Sequence, residues 1–265
     1  MLVSSFWGSY HKYMVMEKFE YANMFNFESD MWWYKGLRDL LFFYIKKYSR
    51  NDINTKILDA GCGTGKNLEV FNLNGYKTYG LDFSDEAINF CKKRNLNNVL
   101  FGDICNMPFQ EKYFDTLICM DVLGNLGNDE IEKAIKEFHR VLKDDGIAII
   151  NCAALEIFRS QHDDVIHTKK RFSKKDLEIE FKKSNFIILK SSYRVFFLSF
   201  PILIVKMIKR IFKSKNKPSS SDQWMPPGPI NNLLFKIQYA ENKLIKRFNL
   251  IFGSSVFLIA KKSNL

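Results

Sequence analysis

Two periods of hydrophobic residues organise the chain. Apolar positions at 33, 37, 40, 41, 44, 45 and 48 recur at helical spacing, so the stretch "SDMWWYKGLRDLLFFYIKKY" predicts an amphipathic helix. Residues 1–28 are rich in aromatics without a period and predict no regular element. From residue 56 short apolar runs alternate with helical patterns. "KILDA", "KTYGLDF", "NVLFGD", "FDTLICMD" and "GIAIINCAA" read as strands. "KNLEVFNLN", "SDEAINFCKKRN" and "NDEIEKAIKEFHRVLK" read as the helices between them, the second opened by Ser84 as N-cap. The fourth strand is apolar almost throughout, as a strand covered on both faces should be. Strands that alternate with helices form a parallel sheet.

The later part departs from this rhythm. "RFSKKDLEIEFKKSN" predicts a helix capped by Ser173, "FIILKSSYRVFF" a sixth strand and "SSVFLIAKK" a seventh. The span between those strands far exceeds a hairpin loop. It holds two amphipathic helices, at about 201–213 and 230–248, with Pro201 suited to a first helical turn. The linker "KSKNKPSSSDQWMPPGP" between them reads as an exposed loop.

Composition narrows the classes. A chain of 265 residues with 46% hydrophobic content can bury one sizeable core. Its five cysteines form no CxxC pair, which argues against a zinc site or a disulfide framework and favours a reducing, cytoplasmic setting. The N-terminus lacks the pattern of a signal peptide, and the longest apolar run, Val195 to Val205, is too short to span a bilayer. The net charge of +11 favours nucleic acid or an anionic membrane surface without choosing between them.

The candidate chemistry lies at "ILDAGCGTGKNLEVF". A strand, a glycine turn and a helix put backbone N–H groups at the carboxyl end of the first strand, where ligands bind in open α/β sheets. The dinucleotide fingerprint is G-x-G-x-x-G. Here Gly61, Gly63 and Gly65 give G-x-G-x-G, with Lys66 in the place of the third dinucleotide glycine. No GKS or GKT follows, which excludes a nucleoside-triphosphate loop. Asp82 closes the second strand, where a carboxylate faces ribose hydroxyls. Asp103 closes the third.

With "YGLDFS", "GDICNMPF", "FDTLICMDVLGNL" and "VLKDDGIAII" in order after the glycine loop, residues 56–153 resemble the class I S-adenosylmethionine-dependent methyltransferases, of the small-molecule type. The resemblance implies a seven-stranded, doubly wound, Rossmann-like α/β sheet of order 3-2-1-4-5-7-6 with strand seven antiparallel. It implies an N-terminal lid over residues 1–55 and a methyltransferase domain over 56–265, with a helical insertion at about 198–252. S-adenosyl-L-methionine is the implied cofactor, and no metal is. Gly61, Cys62, Gly63 and Gly65 would form the loop beneath the methionine and ribose, Cys62 by packing. Asp59 would hold the loop beside the methionine amine, and Met120 would lie by the methionine. Asp82 would bind the ribose and Phe83 would pack on adenine. Asp103 and the Ile104 backbone would read the adenine edge.

The acceptor is less constrained. Strand four leads into "MDVLGNL" and not an Asn/Asp-Pro-Pro-aromatic motif, which speaks against exocyclic base or glutamine nitrogens. Where many small-molecule members carry Glu-His this chain has Gly124-Asn125, leaving Asn125 as an acceptor-binding candidate. Trp32, Trp33, Tyr34 and Arg38 are the lid candidates; Trp33 alternatively belongs to the core, and Arg38 reaches the cofactor carboxylate or faces solvent. His162 and His167, in "HDDVIHTKKRF", are candidates for a base or acceptor-binding group, or are loop residues. The run "PILIVKMIKRIFKSKNK" carries six basic residues and no acid. Its helix would lie on an anionic membrane surface with Lys206, Lys209, Arg210 and Lys213 towards lipid, or pack on the sheet. The expectation is a cytoplasmic enzyme, peripheral to the membrane if that helix binds it, that methylates a small, lipophilic or lipid-linked acceptor. The alternatives are an RNA methyltransferase, ranked lower because no basic–aromatic stripe is present, and a non-catalytic cofactor-binding regulator. No DNA partner is expected.

Overall fold

The computed structural model describes residues 16–49, 54–211 and 224–263, with the side chains of 209–211 also left undescribed. Seven strands form one sheet: β1 (Lys56–Ala60), β2 (Lys77–Asp82), β3 (Val99–Phe101), β4 (Phe114–Met120), β5 (Leu142–Ala153), β6 (Phe186–Arg194) and β7 (Ser255–Lys262). Their order is β3-β2-β1-β4-β5-β7-β6, with β7 antiparallel to both neighbours and the other pairs parallel. The sheet is the one anticipated above. The strand order reverses between the parallel neighbours β1 and β4, which leaves a crevice at the carboxyl ends of those two strands.

Strand alternation divides the core into two layers. Leu58, Leu117, Cys119, Ala148 and Ile150 face α5 (Asn128–Val141) and α7 (Lys174–Lys183), where they meet Ile131, Ile135, Phe138, Leu177 and Phe181. The intervening Ile57, Ile118, Ile147 and Ile149 face α2 (Trp32–Tyr48) and meet Leu37, Leu40, Leu41, Tyr44 and Ile45. Each such side chain, fully buried, contributes about 1.5–3 kcal/mol relative to exposure. Helices α3 (Lys66–Leu73) and α4 (Asp85–Lys93) follow β1 and β2. Ser84 caps α4 by accepting from the Ala87 N–H, as its position suggested. Asp121, by contrast, takes a left-handed backbone (φ +60°) directly after β4.

Several elements differ from the sequence reading. The aromatic N-terminal stretch contains a helix, α1 (Lys18–Phe27), held down by Glu28 just beyond it. Glu28 accepts from Arg94 Nη2 at 2.7 Å and from the Thr64 hydroxyl, so a tertiary carboxylate supplies what periodicity did not. β6 ends at Arg194 and not within "VFF", because its partner β7 begins at Ser255 opposite Arg194. Val195 then turns the chain with φ +62° into α8 (Phe196–Ile211). That helix starts earlier than anticipated, so Pro201 lies inside it and not in its first turn. Glu241 provides the reason, since its carboxylate accepts from the Val195 and Phe197 N–H groups (2.6 and 3.1 Å) and satisfies the helix start. A short helix, α6 (Gln161–Val165), occupies the stretch that reads as a loop.

The last helix, α9 (Gly228–Arg247), overturns the expected apolar inner face. Asn231, Gln238, Glu241 and Asn242 are buried on it with Ile245, while Ile230, Leu233 and Tyr239 are exposed. α9 packs on α2 where Gly36 leaves room for Gln238; a Cβ at Gly36 would stand 2.4 Å from the Gln238 Cγ. The fully buried Asn242 donates to the Gly36 carbonyl (2.7 Å) and to Asp39 Oδ2 (2.9 Å), which also accepts from Lys246. Polar pairing therefore replaces apolar contact in this seam. Asn242→Ala leaves the Gly36 carbonyl without this donor and should lower unfolding stability by about 1–3 kcal/mol in urea denaturation. An unchanged midpoint would show that the seam does not need the amide.

Candidate functional site

The crevice beyond β1 and β4 opens into a cavity of about 520 Å³. Gly61, Cys62 and Gly63 form one wall, with Asp59, Asp82, Phe83, Asp103, Ile104 and Met120 around them. Nine of the ten residues proposed for cofactor binding thus share this space. The tenth, Gly65, is a correction. It is the N-cap of α3 in a left-handed conformation (φ +82°), and its Cα faces Leu96 and Cys91 instead of the cavity. Its glycine serves helix packing.

Glycine is required at 61 and 63 for different reasons. At Gly61 (φ +84°) a Cβ would stand 2.3 Å from the Val122 Cγ2, and at Gly63 (φ +53°) it would meet the Met24 sulfur at 3.0 Å. The loop is therefore pressed between the segment after β4 and helix α1. Asp82 fixes its course: Oδ2 accepts from the Gly63 N–H at 2.8 Å and Oδ1 from the Ser84 N–H at 3.1 Å. Burial raises the Asp82 pKa to about 6, against the pull of the Gly63, Ser84 and Phe83 N–H groups. Each oxygen keeps capacity to accept a further bond.

Asp59 is buried at the bottom of the cavity. Its Oδ2 accepts weakly from Asn67 at 3.4 Å, and its Oδ1 has no hydrogen-bond partner. Burial pushes its pKa well up, with Asn67 opposing. A buried carboxylate oxygen without a donor costs free energy unless a ligand supplies one. Cys62 is an inert packing thiol, pushed well up by the neighbouring Cys91 and by burial. Asp103 lies two residues beyond β3, where its Oδ1 accepts from the Cys105 N–H at 2.8 Å and shapes the turn. The Phe83 ring leans on Phe101 with centroids 5.3 Å apart.

The second half of the cavity is roofed by Trp32, Trp33 and Tyr34 and walled by Asn125, His162, Ile202 and Lys206. Trp33 takes both roles considered for it, lining the cavity and packing on the α2 core. Asn125 accepts from the Thr168 hydroxyl at 3.5 Å. Two candidates do not reach the site. Arg38 is buried but donates to the Glu28 and Ser29 carbonyls, closing the turn between α1 and α2; it neither lines the cavity nor faces solvent. His167 has φ +56° and places Nε2 3.6 Å from Glu17, outside the cavity lining. Lys206, which would face lipid only if its helix lay on a membrane, instead turns its amine inward to the Phe158 carbonyl and lines the cavity.

The sequence reading missed Glu28, Met24, Tyr21, Asp121 and Arg171. The first three come from the segment without periodicity. Asp121 was legible only as the tail of a strand. Arg171 stands in a basic run that gives no sign of its buried ion pair with Asp163 (2.5 Å). Among the described residues no cluster of His, Cys, Asp and Glu could hold a metal.

The arrangement suits a zwitterionic, nucleoside-bearing ligand. The unpartnered Asp59 oxygen fits an ammonium group. Asp82 offers two oxygens to a diol, and the loop between them tolerates no side chain at Gly61 or Gly63.

The sequence profile of the methyltransferase-domain family matches residues 58–150. A protein of Methanocaldococcus jannaschii without an assigned function is 30% identical over 193 residues, covering 65% of this chain and 79% of that one. A tRNA (carboxymethyluridine(34)-5-O)-methyltransferase of Arabidopsis thaliana is 38% identical over 102 residues, covering 38% of this chain and only 24% of its own length. Among solved structures, a SAM-dependent methyltransferase of Archaeoglobus fulgidus superposes with a TM-score of 0.54 at 17% identity, covering 85% of this chain and 94% of that one, and shares the fold. The five motifs, the strand order and these matches agree: the chain belongs to the class I S-adenosylmethionine-dependent methyltransferases.

Proposed function

We propose that the protein transfers the methyl group of S-adenosylmethionine to a small acceptor held in the second half of the cavity. The observation that carries this reading is the continuity of one cavity from the Asp59–Gly61–Gly63–Asp82 loop to the aromatic roof of Trp32, Trp33 and Tyr34. When bound, the cofactor supplies an activated sulfonium methyl. The chain's own task is then to hold the acceptor in line and exclude water. Asp82 holds the ribose hydroxyls, Asp59 the amine, and Phe83 with Asp103 and Ile104 the adenine. Helices α1 and α2 contribute Tyr21, Met24, Trp32, Trp33 and Tyr34 to the cavity wall, and Glu28 between them is bonded to Arg94 and Thr64. A cavity of about 520 Å³ lined by Trp32, Trp33 and Tyr34 favours a small molecule over a folded RNA.

The acceptor is lipophilic or lipid-linked in this reading, and α8 is the observation behind that choice. The helix sends Ile202 and Lys206 into the cavity while Phe197, Phe200, Ile204, Val205, Met207 and Ile208 stand exposed on it. An apolar outer surface next to a basic sequence run suits a monotopic contact with anionic lipid, through which an apolar acceptor could enter. Lys209 and Arg210 have no described side chains, and Lys213 lies outside the described residues. No helix among the described residues is long and apolar enough to cross a membrane.

Calorimetry should show binding of S-adenosylmethionine and S-adenosylhomocysteine, and none of NAD because Lys66 replaces the third dinucleotide glycine. Asp82→Ala should weaken binding by about 1.5–3 kcal/mol for each charged hydrogen bond lost to the ribose. Unchanged affinity in that variant would remove the ribose assignment. Because His162 lines the cavity and His167 does not, His162→Ala should slow methyl transfer while His167→Ala should not, and equal rates would return both to structural roles. Vesicle flotation tests α8. Wild-type protein should float with anionic vesicles at low salt, and Ile204→Asp with Ile208→Asp should sink without loss of melting temperature, since both side chains are exposed. Wild-type protein that stays at the bottom of the gradient would discard the lipid contact.

A further inference from the structure

We propose that Asp121 receives the methyl acceptor, and that the acceptor's nucleophilic atom carries its own proton, as an amine or hydroxyl does and a carboxylate does not. The inference rests on the methyl-transfer reading above and names the substrate class for the same cavity.

Asp121 stands at the carboxyl end of β4 and lines the cavity between Met120 and Val122, the residue packed on Gly61. Its φ of +60° is unusual for a residue with a side chain, and such conformations persist where neighbouring structure holds them. Here the holding is explicit. The Asp121 N–H donates to the Asn151 carbonyl at 2.7 Å, and the Asn151 Nδ2 donates to both carboxylate oxygens at 3.0 and 2.9 Å. Asn151 is fully buried on β5 and accepts in turn from Arg194 Nη1 at 3.2 Å. Arg194, at the end of β6, is also fully buried, and its guanidinium lies 5.3 Å from the Trp33 ring centroid. Three strand ends thus orient one carboxylate through a neutral amide. Asn151 uses one acceptor site on each oxygen and leaves the others for a donor in the cavity.

The charges facing Asp121 support a proton-bearing partner. Arg194 lies behind Asn151. Arg171, from the loop before α7, is committed to Asp163 and to the Ala154, Leu155 and Ser254 carbonyls. The Cys119 and Cys152 thiols beside it are pushed well up by burial and stay neutral. His162 and Asp163 from α6 and Lys206 from α8 line the same cavity, the Lys206 amine donating to the Phe158 carbonyl. Burial raises Asp121 itself to about 6, so it is ionised near neutral pH yet a better proton acceptor than a surface carboxylate. An N–H or O–H meets a matched acceptor there, whereas an anionic acceptor meets a like charge.

In the transfer, the acceptor exchanges its N–H or O–H bond for a bond to carbon. The electron pair stays on the acceptor atom, and the proton passes to an Asp121 oxygen and then to water. The cofactor supplies the carbon as a methyl cation equivalent and leaves as a neutral thioether.

The test uses the full chain saturated with S-adenosylhomocysteine and three probes of one shape: benzylamine, benzyl alcohol and benzoate. Calorimetry should show benzylamine and benzyl alcohol binding at least about tenfold more tightly than benzoate, the cost of placing like charges together. Asp121→Asn should abolish that preference while holding S-adenosylhomocysteine as the wild type does; Asp121→Ser replaces it if Asp121→Asn loses the nucleoside. The proposal is overturned if benzoate binds as tightly as the other two, if no probe binds the loaded protein, or if the preference survives in the variant. Failure of the wild-type protein to bind S-adenosylhomocysteine would instead overturn the methyl-transfer reading, and this inference with it.

Discussion

The hydrogen bond from the Gly63 N–H to Asp82 Oδ2 is the interaction on which the site depends. It joins the turn after β1 to the end of β2, two strands paired in parallel register from Lys56↔Lys77 to Ala60↔Leu81. The Gly61 and Cys62 N–H groups add bonds to the Leu81 carbonyl at 2.7 and 3.0 Å. The loop is thereby a continuation of the sheet and takes its rigidity from two cores of fully buried aliphatic side chains. A carboxylate that both shapes the loop and lines the cavity couples fold to ligand: whatever occupies the site also gains from the packing that fixes Asp82. Its raised pKa is the cost of that placement, because the charge is kept in the interior by backbone dipoles and not by a cation.

The sheet was legible in the sequence because each of its signals is local. "KILDA", "FDTLICMD" and "GIAIINCAA" are apolar over the length of a strand, and α5 shows an apolar stripe at helical spacing that the structure buries at Ile131, Ile135 and Phe138. Nine of the ten residues proposed for the cofactor line one cavity for the same reason, since a glycine loop and strand-end acids sit at fixed offsets from those strands. Gly65 shows the limit of motif reasoning. Three glycines stand in one motif, yet each is constrained by a different neighbour: Gly61 by Val122, Gly63 by Met24, and Gly65 by Cys91 and Leu96 away from the cavity.

What was not legible depends on pairings between residues far apart in the chain. Helix α1 has almost no amphipathic character, and Glu28, Arg94 and Thr64 tie its end down across 66 and 36 residues. α9 buries Gln238, Glu241 and Asn242, residue types that a hydrophobicity pattern assigns to the outside. Glu241 caps α8 from 46 residues away and moves the start of that helix ahead of Pro201. Arg38 was a candidate for its place in the lid stretch and His167 for its place in "HDDVIHTKKRF", and neither context shows where the side chain goes. One serves a turn by bonding two carbonyls, and the other is directed away by its own backbone conformation.

The glycine loop continues the local sheet geometry and the carboxylate beyond β4 is oriented by long-range polar pairs, while Glu28, bonded to Thr64 and Arg94, adds one such pairing beside the loop as well. The division has a physical basis. A cofactor common to a family can be met by backbone N–H groups and strand-end carboxylates, which any sequence compatible with the sheet provides. An acceptor particular to one protein needs side chains aimed from several elements at once. Asn151 and Arg194 orient Asp121 here from β5 and β6, and Glu241 on α9 holds the start of α8 while accepting from Gln238 of its own helix. Buried polar groups of this kind contribute little net stability for the area they occupy. Their value is positional, because a partner misplaced by an ångström leaves a desolvated donor or acceptor unpaired. The insertion between β6 and β7 is therefore the part of the chain whose substitution should alter which acceptor is chosen while leaving cofactor affinity in place.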